Sequence, residues 1–239
     1  EVAPATQPMT TKTANRCCGG AAERRHDKSA SPALGQMVWI AGGGFTMGSN
    51  AFYPEERPAH RASVQGFWID VHPVTNAGFQ RFVDATGYVT FSERQPDAAQ
   101  YPDADPELLK PGSLVFRKPD HPVSLRDYRA WWAYVPGASW KHPHGPHSDI
   151  AGIENHPVVH VTYEDCLAYT DWAGKSLPTE VEWEFAAQGG LVDKPYAWGD
   201  EEAPNGRAMA NTWQGRFPWE NLMADGYEGT SPEIGRAHV

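Results

Sequence analysis

The chain has 239 residues, 40% of them hydrophobic and 12% aromatic, enough for one large domain with an aromatic-rich core. A formal net charge of −10 excludes nucleic acid and anionic membrane as natural partners and suits a cationic peptide or a hard cation better. The 23 glycines and 21 prolines predict a turn-rich, loop-heavy fold rather than a helix bundle. No run approaches the ~20 apolar residues of a membrane span, and no apolar signal-peptide core lies near the start. Met9 opens a plausible start, and with it a cytoplasmic protein is expected. The three cysteines, adjacent Cys17 and Cys18 with Cys166 far away, make no disulfide framework.

Taken in chain order, residues 1–33 are polar, small and aperiodic, and are expected to be disordered. Met37–Ile40 and Phe45–Met47 read as short strands, with Gly42, Gly43 and Gly44 as the turn between them, and Val64–Val71 reads as a further strand. A first helix follows Thr75, with Phe79, Phe82 and Val83 on one face and Gly87 as its stop. A second follows Thr162, with Asp165 three residues on in a capping-box relation, and ends near Gly174. A third follows Thr179, with Glu182 in the same relation, pairs Val181 with Phe185, and ends at Gly189–Gly190. Between the first two helices, residues 90–157 read as one long irregular stretch rich in proline and tryptophan, the length of loop that belongs to a binding surface. No internal repeat is present, so one domain is the simplest organisation.

Several groupings carry chemistry on paper. The glycine run leads into a strand, whereas a phosphate cradle needs a helix N-terminus, so a turn is the better reading. His142, His144 and His147 could ligate a metal, but prolines and a glycine between them hold the chain extended, and a surface or groove-lining loop is expected. His156 and His160 flank a short apolar strand. Trp172 and Trp183, on the second and third helices, are expected in the core, and Cys166 as a small core residue. Trp131 and Trp132 are neighbours, which point in different directions, so at least one of them lines a surface cleft. The segment from Asn211 to Tyr227 offers an Asn amide, the Asp225 carboxylate and backbone carbonyls, hard oxygens of the kind calcium takes, although ordinary turns share that composition. The residues alone name no catalytic group.

Met37 to Pro232 resembles the formylglycine-generating enzymes, also called sulfatase-modifying factors. The resemblance is carried in order by Ile40-Ala-Gly-Gly-Gly-Phe-Thr-Met-Gly-Ser49, Trp131-Trp132, Pro136-Gly-Ala-Ser-Trp-Lys-His-Pro143 and Gly145-Pro146. It continues through His156-Pro-Val-Val-His-Val161, Trp172-Ala-Gly-Lys-Ser-Leu-Pro-Thr-Glu-Val-Glu-Trp-Glu184, Pro195-Tyr-Ala-Trp-Gly199 and Asn211-Thr-Trp-Gln-Gly215. It implies an α+β, irregular, loop-rich fold related to C-type lectins, over residues 34–232, incomplete at its C-terminus. It also implies an oxidase that converts the cysteine of a Cys-x-Pro-x-Arg segment in an unfolded sulfatase to Cα-formylglycine, with O2 as oxidant and copper(I) held by two thiolates.

Carried over residue by residue, the resemblance implies a structural calcium site at Asn211, Thr212 (carbonyl), Asp225 and Tyr227 (carbonyl). It implies substrate contacts at Glu56, Trp131 and Trp132. The copper-binding cysteine pair of the family lies past Pro232 and nothing here matches it; Cys17, Cys18 and Cys166 stand elsewhere. The 239 residues are therefore expected to be inactive alone and monomeric, with an apolar seam left exposed and 233–239 an artefactual tail. The alternative readings are a non-catalytic relative that binds sulfatases and a lectin-like binding module.

Overall fold

The computed structural model describes residues 36–232. The expected N-terminal tail with Cys17 and Cys18, and the expected tail 233–239, lie outside the described residues.

The first half is built on a two-stranded antiparallel ribbon. β1 (Met37–Ile40) pairs with β4 (Phe67–Asp70), placing Met37 opposite Asp70 and Ile40 opposite Phe67. β2 (Gly43–Met47) pairs with β3 (His60–Val64), placing Gly43 opposite Val64 and Met47 opposite His60. The register carries through unchanged from one pair to the other, so this is one long hairpin with an interruption. That corrects two expectations: Gly42–Gly44 is not a turn joining paired strands, and Val64–Val71 is not a single strand. A Cβ on Gly42 would lie 2.4 Å from the Val64 carbonyl oxygen and 2.5 Å from the Gly66 nitrogen; one on Gly66 would lie 2.4 Å from the Trp39 ring. Glycine is required here because two backbones meet where the ribbon is interrupted.

The three helices stand where their capping chemistry places them. In α1 (Asn76–Thr86) the Thr75 hydroxyl accepts from the Gly78 N–H at 3.2 Å, and Gly87 closes the helix at φ 67°. α2 (Tyr163–Ala173) opens on the Thr162–Asp165 capping box and stops at Gly174, φ 66°. α3 (Glu180–Gln188) opens on the Thr179–Glu182 box and stops at Gly189, φ 56°. Phe79, Phe82 and Val83 of α1 form the core with Trp140 and Tyr169. Phe79 meets the Trp140 ring at 5.2 Å, and Phe82 meets Trp172 at 5.5 Å. Phe185 of α3 packs on Phe45 at 5.2 Å, anchoring that helix to the ribbon. Trp183 is 62% exposed, contrary to its expected core role, because its helix face turns away from Phe45.

Residues 90–157 are not wholly irregular. β5 (Gly112–Phe116) pairs antiparallel with β6 (Trp132–Pro136), Phe116 opposite Trp132, across a long connection. Between His156 and His160 there is no strand, only an isolated bridge from Pro157 to Thr75, and His160 is left-handed at φ 58°. No helix among the described residues is long and apolar enough to cross a membrane.

A buried carboxylate ties these parts together. Asp165 is fully buried. Its Oδ1 accepts from the Tyr88 hydroxyl and the Phe91 N–H, both at 3.0 Å, and its Oδ2 from the Thr162 N–H at 2.7 Å and hydroxyl at 2.9 Å. Arg94 lies 3.5 Å from Oδ1. Removing the acceptor strands these donors, so Asp165→Ala is expected to lower unfolding free energy by about 3–5 kcal/mol and Asp165→Asn by about 1–3 kcal/mol. Urea unfolding of the full chain measures both; a loss under about 0.5 kcal/mol for Asp165→Ala, the size of an ordinary surface change, contradicts the assigned role.

Candidate functional site

β6 begins at Trp132, whereas Trp131 just before it closes the short helical turn Tyr128–Ala130 at φ −136°, ψ −2°, and the two neighbours differ in burial: Trp131 is 8% exposed and Trp132 39%. Trp132 meets Phe116 of β5 edge-on at 5.6 Å, Phe116 meets Trp213 at 5.7 Å, and Phe217 meets Trp213 at 5.2 Å and Trp131 at 5.4 Å. Five rings thus join the β5–β6 hairpin to the loop that starts at Asn211. Trp131 supplies the buried support and Trp132 the exposed rim, so a single sequence dipeptide does two physical jobs.

That loop is organised around Asp225. Its Oδ1 accepts from the Tyr227 N–H at 3.0 Å, and its Oδ2 accepts from the Thr212 N–H at 3.2 Å and from Gln214 Nε2 at 3.0 Å. The Tyr227 N–H first, then the Gln214 side chain, hold the Asp225 carboxyl below the usual carboxylate range. Asn211 Nδ2 donates to the Gly229 carbonyl at 2.8 Å and closes the loop at its other end. The structure therefore gathers Asn211, Thr212, Asp225 and Tyr227 into one hydrogen-bonded loop and sets it against Trp131 and Trp132. One carboxylate, an amide and carbonyls form a hard-oxygen donor set that fits calcium; with one charge it fits a weak site. Among the described residues no group of three His, Cys, Asp or Glu side chains could hold a metal ion.

Gln214 has no role in the sequence reading. Its Nε2 donates to the Thr212 carbonyl at 2.7 Å as well as to Asp225, and its Oε1 accepts from the Asp225 N–H at 3.2 Å. Only its place inside the Asn-Thr-Trp-Gln-Gly segment marked it, since the contacts span residues 11 apart.

Glu56 is carried by a different element. It ends the short turn Pro54–Glu56 in the connection between β2 and β3, with its side chain exposed. Its carbonyl accepts from the Ser49 N–H at 3.1 Å, and a Cβ on Gly48 would lie 2.3 Å from that oxygen. Gly48 (φ 77°) donates its N–H to Glu184 Oε1 of α3 at 2.8 Å, which moors the turn to a helix. Phe52 and Tyr53 beside it are 62% and 70% exposed.

The histidine segment folds into tight turns at the surface: His142 Nδ1 meets the Ser148 carbonyl at 2.6 Å and His144 donates its backbone N–H to the Ser148 hydroxyl at 2.9 Å. His160 is held at both ring nitrogens, by the Ser113 hydroxyl and the Pro143 carbonyl, each at 2.8 Å. Among the described residues the single thiol is Cys166, half-buried on α2. Burial, and then the neighbouring Asp165, push that thiol up and keep it protonated. Copper(I) calls for thiolate ligands, and the described residues do not fit it.

An α+β, loop-rich domain with an aromatic hairpin braced by an oxygen-lined loop is the class these features define. The chain matches the sulfatase-modifying factor enzyme 1-like domain over residues 23–235 and belongs to that family, the FGE-sulfatase family. A formylglycine-generating enzyme of Mycobacterium tuberculosis is 55% identical over 203 residues, covering 85% of this chain and 67% of the relative. A formylglycine-generating enzyme of Mus musculus is 42% identical over 205 residues, covering 84% and 52%. An inactive C-alpha-formylglycine-generating enzyme 2 of Mus musculus is 41% identical over 201 residues, covering 82% and 60%. The chain thus spans between about half and two thirds of the length of these relatives.

The lowered Asp225 carboxyl gives the loop a signed pH dependence. Its stabilisation is present above the unfolded value, about 3.9, and is lost as pH falls through the lower folded value. Asp225→Asn is expected to melt below the wild type at neutral pH, with the two melting temperatures converging as pH falls below about 4. A gap unchanged down to about pH 3 removes the carboxylate's charge from the account.

Proposed function

We propose that this chain is the substrate-holding portion of an oxidase that converts the cysteine of a Cys-x-Pro-x-Arg segment in an unfolded sulfatase to Cα-formylglycine, with O2 as oxidant. The observation that carries this reading is the five-ring cluster, which makes the Trp131–Trp132 hairpin and the Asn211–Tyr227 loop one unit in a chain of this family. An exposed indole beside a rigid loop suits an extended peptide, which binds with little ordering of the protein itself. Glu56, held by its backbone while its carboxylate stays in water, supplies the negative charge an arginine-bearing peptide needs. The two thiolates that copper(I) requires belong, in this reading, to residues outside this sequence, and the protein acts as a cytoplasmic monomer.

Calcium, where bound, supplies charge compensation and rigidity to the loop; Asp225 and Asn211 with the Thr212 and Tyr227 carbonyls would hold it. Calcium is expected to raise the melting temperature of the chain and Asp225→Ala to abolish the rise. Equal melting of the wild type with calcium and with chelator rules the site out.

A second reading has a specific observation behind it. Relatives named inactive are as similar to this chain as some named enzymes, and Cys166 is the one described thiol. Both readings predict peptide binding, and they separate on turnover by the longer protein.

Fluorescence anisotropy with a labelled Cys-x-Pro-x-Arg peptide tests the shared claim. Saturable binding is expected, weakened about tenfold by Trp132→Ala, the loss of one ring, with the melting temperature lowered by only a few degrees because that ring stands at the edge of the cluster. Equal binding of a peptide with the same residues scrambled sinks the proposal.

A further inference from the structure

In the loop around Asp225, one nitrogen atom answers two of the oxygens assigned to calcium. Gln214 Nε2 donates to the Thr212 carbonyl at 2.7 Å and to Asp225 Oδ2 at 3.0 Å. Those oxygens come from residues 13 apart in sequence, so their convergence on a single nitrogen is a property of the fold. A carbonyl and a carboxylate turned toward the same point repel one another unless a positive group lies between them. An amide NH2 does this without charge, because it brings two N–H donors, one for each oxygen.

The rest of the Gln214 side chain explains how the amide is kept there. Its Oε1 accepts the Asp225 N–H at 3.2 Å, and its backbone carbonyl accepts the Leu222 N–H at 2.6 Å. Gln214 is thus held from both ends by the segment that carries the carboxylate. Other donors to Asp225, the Thr212 and Tyr227 N–H groups, are backbone and fixed in place. The Gln214 amide is the one donor that a rotamer change can withdraw.

We propose that Gln214 is a place-holder for the cation: its amide occupies the ligand oxygens when calcium is absent, keeps the loop in shape against the aromatic cluster, and swings aside when calcium is present. This rests on the calcium reading above and adds a residue that stabilises the calcium-free form at the expense of calcium affinity. The two hydrogen bonds its Nε2 donates, and the one its Oε1 accepts from the Asp225 N–H, are lost to the bound state, so the residue acts as a brake on binding.

The test is calcium titration by calorimetry, with melting curves in chelator and in calcium, on the full chain and on Gln214→Ala. The variant is expected to melt lower in chelator yet bind calcium about two- to tenfold more tightly, the worth of one net hydrogen bond, so its calcium-induced rise exceeds that of the wild type. A residue that merely supports the loop would lower both melting curves together and weaken binding. Gln214→Met keeps the side-chain length without the donor, carries the same expectation, and serves if alanine prevents folding. Equal or weaker calcium binding by the variants, with the wild type responding, overturns the place-holder role and leaves the calcium site standing. No response to calcium in the wild type and in the variants overturns both.

Discussion

Asp165 carries a charge into a place with no solvent, and much of the structure follows from how its oxygens are satisfied. Taking a carboxylate out of water costs several kcal/mol even after relaxation. Here the cost is offset by four donors drawn from two segments, the start of α2 and residues 88–91, with Arg94 close by. The same stretch presents Glu93, whose Oε2 accepts from the Thr90 N–H at 3.1 Å, the Thr90 hydroxyl at 2.7 Å and the Trp140 indole at 3.2 Å. Trp140 is fully buried among the rings of α1 and α2. Two carboxylates in adjacent turns therefore decide how the aromatic core is oriented, which apolar packing alone would leave loosely specified.

From that core a connected set of contacts reaches the candidate site. Trp140 begins the turns that carry His142 and Pro143; the Pro143 carbonyl accepts a hydrogen bond from His160 Nε2; and His160 Nδ1 meets the Ser113 hydroxyl of β5. The left-handed backbone of His160, uncommon for a residue with a side chain, is the cost of aiming both ring nitrogens at once. β5 then positions Phe116, and through it Trp132, Trp213 and the loop around Asp225. The exposed tryptophan of the hairpin is thus mounted on a rigid frame, although few of the intervening residues belong to regular structure.

What was legible in the sequence divides along the range of the interactions. Helix ends were readable because a Thr, an acidic residue three positions on, and a closing glycine act within one turn; Thr162, Asp165 and Gly174 are sufficient examples. Pairing was not readable. Gly112–Phe116 and Trp132–Pro136 find each other across a long connection, and nothing local in either segment announces the partner. The ribbon shows the same limit, since Gly42 looks like a turn residue until the Val64 carbonyl is seen beside it. Trp183 was misjudged because a large ring on a short helix says nothing about which face the helix buries; Phe185 took that face. At the site, adjacent indoles marked Trp131 and Trp132 and hard oxygens marked the Asp225 loop, their roles came from resemblance to a family, and Gln214 became visible only when the loop closed on it.

The chemistry of the donors separates two tasks that the family name joins. The loop around Asp225 gathers oxygen acceptors around backbone N–H groups and the Gln214 amide, with no ionisable sulfur among them. Thiolate chemistry needs the opposite environment, in which a sulfur is ionised by nearby positive charge or metal. Cys166 has neither: it sits on α2 next to the buried Asp165, whose charge disfavours a second anion, and burial acts in the same direction. A thiol so placed behaves as a small apolar side chain. The described fold accordingly presents an aromatic rim and an oxygen-lined loop. Ring packing shapes the rim and hydrogen bonds shape the loop, and the one described thiol belongs to α2 and to neither of them.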